Sequence, residues 1–363
     1  MMMTESELRS IIDAIRPADA AAMDAAAKRQ AQLAKPPGSL GRLEELSVRL
    51  AGITGEVCSR TDRCRVIVFC ADNGVVREGV AVTPQSVTLA QAINMTAHRT
   101  GMSALAHCFG DSVEVIDVGI NAEFSHPGVL DRKLGLGTDD IALGPAMSRE
   151  KALSAIGIGI EAVRRAKADG MQAVGIGEMG IGNTTTSAAV LAALTGEPAE
   201  KVTGLGSGLT PEAFEHKKAV IAGALRLNAP DPGDPVGVLA KVGGFDLAAM
   251  TGAYLGCALE RIPAVADGFI SVVAALCAVR LCPAVRDCLI LSHASKEAGC
   301  RIAEEELGIA PLLHLGMRLG EGSGCPIAFR LMAAACAVMN GMATFEEARI
   351  DDGYLAEIRG KKF

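Results

Sequence analysis

Apolar positions along this chain open at helical spacing and then change. Between residues 4 and 54 they recur with helical period: residues 4–34 are rich in Ala, Gln and charge, and Leu40, Leu43, Leu46 and Leu50 share one face of a second segment, 40–54. The KPPGSLG stretch at 35–41 separates the two and predicts an ordered turn. Beyond residue 60 short β-branched or apolar runs take over: RVIVFCAD (65–72), SVEVIDVG (112–119), MQAVGIGE (171–178), IPAVADG (262–268), DCLILSH (287–293) and APLLHLG (310–316). Most run into a polar or glycine-containing turn, and helical segments lie between them. That alternation predicts an α/β fold on a mostly parallel sheet. The stretch 324–348 is again helical and Ala/Met-rich, suited to return to the N-terminal helices.

Nearly every predicted strand ends in a residue with chemical use: Asp72, Asp117, Glu178, Asp267, and the Ser292–His293 pair. Ligands of open parallel sheets bind beyond the carboxyl ends of the strands, so these side chains are expected to converge on one crevice.

Composition narrows the class. Half of the 363 residues are hydrophobic but only 3% are aromatic, with no Trp, which suits helices packed closely on a sheet rather than a β-sandwich. A net charge of −7 argues against general attraction to nucleic acid or anionic membrane, leaving room for a local phosphate pocket. The eleven cysteines include no CxxC pair and several sit in apolar runs, so they read as buried free thiols of a cytoplasmic protein rather than a zinc site. The first twenty residues lack the pattern of a signal peptide, and the longest apolar run, around 269–282, is too short to span a bilayer and contains Arg280.

Several loops carry candidate chemistry. In VGIGEMGIGNTTTSAAVLAAL (174–194) a strand runs through glycines into a helix that opens at Asn183. Gly180, Asn183 and the hydroxyls of Thr184 to Thr186 could cradle a phosphate, with donors from the helix N-terminus. A tight turn with an Asn or Thr cap fits the same spacing, and spacing alone leaves both readings open. GLGSGLTPEAFEHKKAV (204–220) repeats the theme: Lys217 could reach a phosphate or carboxylate, whereas Lys218 suits a solvated face. Asp72 could bind a metal or a ribose, although no second carboxylate sits at ligand spacing. LSHASKEAGC (291–300) brings Ser, His and Asp chemistry to mind, but no G-x-S-x-G elbow is present, and His293 reads as a structural cap or a ligand contact. GMRLGEGSGCP (316–326) places Glu321 among glycines, either as a solvated turn residue or as a working carboxylate in the crevice with Glu178.

Taken together, KPPGSLGRLEELSVRLAGITG, ADNGVVREGV, TPQSVT, GEMGIGNTTTSAAV, GGFDLAAMTGAYLG, ADGFIS, LSHASKEAG and LGMRLGEGSG resemble the nicotinate-nucleotide–dimethylbenzimidazole phosphoribosyltransferase family, in order and over essentially the whole chain. The resemblance implies transfer of phosphoribose from nicotinate mononucleotide to 5,6-dimethylbenzimidazole, giving α-ribazole 5′-phosphate and nicotinate with inversion at the sugar. It implies a homodimer that uses no metal or other cofactor. A Rossmann-like α/β domain would span 61–323, with a small helical domain from 1–60 and 324–363. It assigns the catalytic base to Glu321, and nucleotide contacts to Glu178, Gly180, Gly206, Lys217, Asp267, Gly268 and Ser295. Contacts to the aromatic base fall on Gln85 and Leu319. Asn73 stands where many members carry His, which bears on the preferred acceptor.

The chemistry suits those residue types. Nicotinate leaves as a stable pyridine and needs no proton, while charge spreads onto the ribose, where a carboxylate such as Glu178 stabilises it. The attacking imidazole sheds its N–H proton as the bond forms, and a general base there contributes about 10²–10⁴ in rate, or roughly 3–5 kcal/mol of barrier. Two other readings remain at this stage: the same transfer to a phenolic, purine or other benzimidazole acceptor, and a non-catalytic nucleotide-binding module.

Overall fold

A computed structural model describes residues 3–206 and 208–355. Six strands form one sheet in which every pairing is parallel: β1 (Cys64–Ala71), β2 (Ser112–Gly119), β3 (Val129–Asp131), β4 (Ala173–Met179), β5 (Ala264–Ala266) and β6 (Leu289–Leu291). Their order, β3-β2-β1-β4-β5-β6, is that of a doubly wound dinucleotide-type fold. Strand order reverses between β1 and β4, and ligands of such sheets bind in the crevice near that switch point.

The central strands are buried on both faces, which is why they read as continuous apolar runs. Ile67 and Phe69 of β1, with Val174 and Ile176 of β4, enter one core; Val66, Val68 and Cys70 enter the other, together with Val265 and Ile290. Strand β3 escaped the sequence pattern because it is a three-residue edge strand with no apolar run. The 310–316 stretch, predicted as a strand, makes only an isolated parallel bridge between Leu313 and His293. Pro311 has no N–H to give, and Gly316 turns the chain left-handed at φ +68°.

The helical start is two helices rather than one, Glu5–Ala14 and Ala20–Gln32. Pro17 interrupts the ladder, and Asp19 restarts it by accepting the Ala22 N–H at 3.0 Å. Helix Arg42–Thr54 buries Leu46 and Leu50, whereas Leu40 precedes it and is exposed. The helix Cys325–Gly341 runs from the site to these N-terminal helices. Its Met339 packs with Ala26 and Ala51, its Met339 carbonyl accepts from Arg29 at 2.8 Å, and Leu33 bridges Thr344. No helix among the described residues is long and apolar enough to cross a membrane. All eleven cysteines are free, and only Cys58 and Cys108 are exposed.

Candidate active site

A cavity of about 280 Å³ opens at the carboxyl ends of β4, β5 and β6. Glu178, Gly180, Asn183, Thr184, Gly206, Lys217, Asp267, Gly268, Ser295 and Leu319, named from the loops or from the family resemblance, all line it. Ser207 of the GLGSG loop, residues 1–2 and the last eight residues of the C-terminal segment lie outside the described residues.

Some expected members do not join. Asp72 accepts from Thr88 Oγ1 at 2.7 Å and from the Asn121 N–H at 2.8 Å, tying two loops together. Asp117 accepts the Gly119 and Ile120 N–H groups and pairs with Lys133 at 2.8 Å. These two strand-end carboxylates are held by neighbouring loops and do not line the cavity. Gln85 is held between the Asn73 carbonyl and Asn121 Nδ2, both at 3.1 Å, outside the cavity lining. Asn73 itself is fully buried, accepting from Thr186 Oγ1 at 3.3 Å. Lys218 pairs with Glu215 at 2.7 Å, away from the cavity.

The turn after β4 resolves its ambiguity. Helix Asn183–Thr195 is capped by Gly182, whose φ is +96°, and no side chain caps it. Asn183 is therefore released for other work: its Nδ2 donates to Glu178 Oε2 at 2.5 Å and to Asp246 Oδ2 at 3.1 Å. Thr184 Oγ1 accepts from Lys217 Nζ at 2.9 Å. Lys217 is only 1% exposed, and burial pushes its pKa down to about 8. A buried amine beside a helix N-terminus makes this end of the cavity suited to an anion.

Three buried carboxyls, Glu178, Asp246 and Asp267, lie near one another. Burial, with Asp246 nearby, pushes Glu178 up to about 8. Burial likewise raises Asp267 to about 7 and Asp246 to about 6. Two of them hold the 320–324 loop. Glu178 Oε1 accepts the Glu321 N–H at 3.3 Å, and Asp267 accepts the Gly322 and Gly324 N–H groups at 3.1 and 2.6 Å. Glu321 sits at φ +65°, a left-handed conformation unusual for Glu, flanked by Gly320 and Gly322 at +84° and +88°.

The Glu321 side chain is 2% exposed and is not part of the cavity lining, so it is not the solvated turn residue its loop suggested. Its Oε2 accepts the Met102 N–H at 3.1 Å, in the first turn of helix Gly101–Phe109. Its Oε1 has no partner among the described residues. Leu319 lines the cavity and also covers Gly101, where an added Cβ would come within 2.5 Å of Leu319 Cδ2. Asp246 was missed as a site neighbour; its only sequence signal was an acid in an otherwise apolar helix start, GGFDLAAM. The Ser/His/Asp arrangement offers no nucleophile, because Ser292 is fully buried and donates to the Asp267 carbonyl at 2.8 Å. Among the described residues, no group of three or more His, Cys, Asp or Glu side chains is placed to hold a metal ion.

The cavity thus combines an anion pole with buried carboxyls, and the glutamate loop is tied to two of them. Residues 15–350 match a family model described as phosphoribosyltransferase. The chain belongs to this phosphoribosyltransferase family. Nicotinate-nucleotide–dimethylbenzimidazole phosphoribosyltransferase of Clostridium perfringens is 50% identical to it over 337 residues, 93% of each chain. The enzyme of that name from Desulforudis audaxviator is 47% identical over 344 residues, 94% of this chain and 98% of the relative. A crystal structure carrying that name, from Thermus thermophilus, superposes with a TM-score of 0.87 at 42% identity, covering 92% of this chain and 100% of that one. As a member of the phosphoribosyltransferase family, the chain is an enzyme that transfers a pentosyl group.

Proposed function

We propose that the chain transfers the phosphoribosyl group of nicotinate mononucleotide to 5,6-dimethylbenzimidazole, with Glu321 as general base. The observation that carries this reading is Glu321 itself: one carboxylate oxygen fixed by the Met102 N–H, the other unpartnered, on a loop tied to Glu178 and Asp267.

The nucleotide phosphate lies at Lys217, Thr184, Gly206 and Ser295, and the ribose lies against Glu178, Gly180 and Gly268. In the free chain at pH 7 Glu178 holds a proton, given its raised pKa. The cationic N-glycoside favours the ionised form and expels that proton. As the C–N bond breaks, charge moves to the ribose ring and the fixed carboxylate stabilises it. The benzimidazole enters beside Leu319, with Gln85 holding its outer loop, and attacks the face opposite the departing pyridine. Its N–H proton passes to Glu321 Oε1. Asp267, whose two oxygens are taken by the Gly322 and Gly324 N–H groups, serves by holding that loop. Asn183 orients Glu178.

The same reading makes the chain a cytoplasmic homodimer that needs no metal or other cofactor and engages neither membrane nor nucleic acid. The −7 net charge supports this, as do cysteines that are free and mostly buried. Within the described residues, the 1–60 and 324–363 segments act as a small helical domain on the 61–323 body, a division supported by the Arg29–Met339 and Leu33–Thr344 contacts.

Incubation with nicotinate mononucleotide and a panel of benzimidazoles, purines and phenols, with products identified by mass, tests the function. Free nicotinate and an α-ribazole phosphate are expected with dimethylbenzimidazole; no nicotinate release with any acceptor would refute it.

A further inference from the structure

The transfer reaction leaves one buried pair without a task, Ser292 and His293 at the end of β6. Ser292 Oγ lies 2.8 Å from the Asp267 carbonyl oxygen and 3.0 Å from His293 Nδ1. A hydroxyl has one proton to donate, and a carbonyl oxygen can only accept. The Ser292 proton therefore goes to Asp267, and Ser292 Oγ accepts from His293, which places the imidazole proton on Nδ1. Asp267 Oδ1, 3.7 Å from Nδ1, favours the same tautomer. Burial pushes the imidazole pKa below its ordinary value of 6.5, so the ring is neutral at pH 7 and Nε2 carries a lone pair. Nε2 has no partner among the described residues. It faces Gly268, lying 3.5 Å from where a Cβ on that glycine would sit, and both residues line the cavity.

We infer that His293 Nε2 accepts a hydrogen bond from a ribose hydroxyl of the nucleotide, which makes His293 a specificity residue for ribosyl over deoxyribosyl donors. The inference rests on nicotinate mononucleotide being the donor. A lone pair repels phosphate and carboxylate oxygens, which are acceptors at neutral pH. The donor's only groups with a proton to offer are its 2′- and 3′-hydroxyls, and the benzimidazole proton belongs to Glu321.

The test compares nicotinate mononucleotide, its 2′-deoxy and 3′-deoxy analogues, and the phosphate-free riboside. Wild-type chain is set against His293→Asn, which keeps a donor near Nδ1 but deletes Nε2, and His293→Gln, which returns an acceptor near Nε2. His293→Asn should lose about 5–10-fold in kcat/KM with the ribonucleotide, the range of one neutral hydrogen bond. One deoxy analogue should cost the wild type a similar factor and cost His293→Asn nothing further, and His293→Gln should recover most of the loss. Equal wild-type kcat/KM for all three nucleotides overturns the inference without any variant. So does a His293→Asn loss that disappears with the riboside, which would mark a phosphate contact. Binding constants for the same compounds separate this from the reaction. A chain that binds the nucleotide but transfers nothing refutes the reaction, with the hydroxyl comparison then read from Kd; a wild-type chain that binds none of them overturns both.

Discussion

Replacing Lys217 by methionine should make the free chain more stable and a poorer nucleotide binder. Burial lowers this ammonium from 10.5 to about 8. At about 1.4 kcal/mol per unit, keeping it charged in the fold costs about 3 kcal/mol below pH 8. Between pH 8 and 10.5 the unfolded chain holds the extra proton, so stability rises with pH and the cost fades. Methionine fills a similar volume without charge, but it forfeits the bonds to Thr184 Oγ1 and the Gly204 carbonyl, 2.9 and 3.3 Å long. Those are worth about 1 kcal/mol each, leaving a net gain of about 1 kcal/mol at pH 7, or about 1–2 °C in Tm. At pH 10 the difference should reverse sign. Loss of a charge-assisted contact of about 2–3 kcal/mol should raise the Kd for nicotinate mononucleotide by roughly 30–150-fold. Thermal melts at both pH values and titration calorimetry read these quantities. A lower Tm at pH 7 together with an unchanged Kd would refute the anion-pole assignment.

Glu178 should impose the opposite slope. Its folded pKa of about 8 lies above the ordinary 4.5, so its stabilising contribution is full below about pH 4.5 and lost as pH rises through about 8. Melts of Glu178→Gln across pH 5–8 should lack that decline, and the rise of kcat/KM toward a plateau above pH 8 should flatten; matching wild-type profiles would contradict the assignment. Asp267→Asn offers one acceptor where the carboxylate served two loop N–H groups, leaving a buried donor unpaired at about 1–3 kcal/mol. It should lower kcat by about tenfold or more with little change in nucleotide KM, and a raised KM at constant kcat would refute the loop-anchor role.

The sheet was legible where burial is two-sided. Strands β1, β2 and β4 are long apolar runs because both faces meet packed helices, whereas β3 and the 310–316 stretch depend on edge pairing that composition does not record. The strand-end rule brought Glu178, Asp267 and His293 to one cavity, yet it also drew in Asp72 and Asp117, whose carboxylates are held by loop backbone, Thr88 and Lys133. Distances across the chain were out of reach. The Met102 N–H that orients Glu321 lies 219 residues away, and Asp246 meets Asn183 from 63 residues away. Glycine spacing around Glu321 signalled an unusual backbone, but not that the loop hangs from two carboxylates.

The most direct measurement is the turnover of Glu321→Gln beside its affinity for nicotinate mononucleotide. The amide can still accept the Met102 N–H, so the loop should hold and nucleotide Kd should stay close to wild type. Without the base, kcat should fall by about 10²–10⁴. Wild-type turnover in this variant would contradict Glu321 as the group that takes the benzimidazole proton.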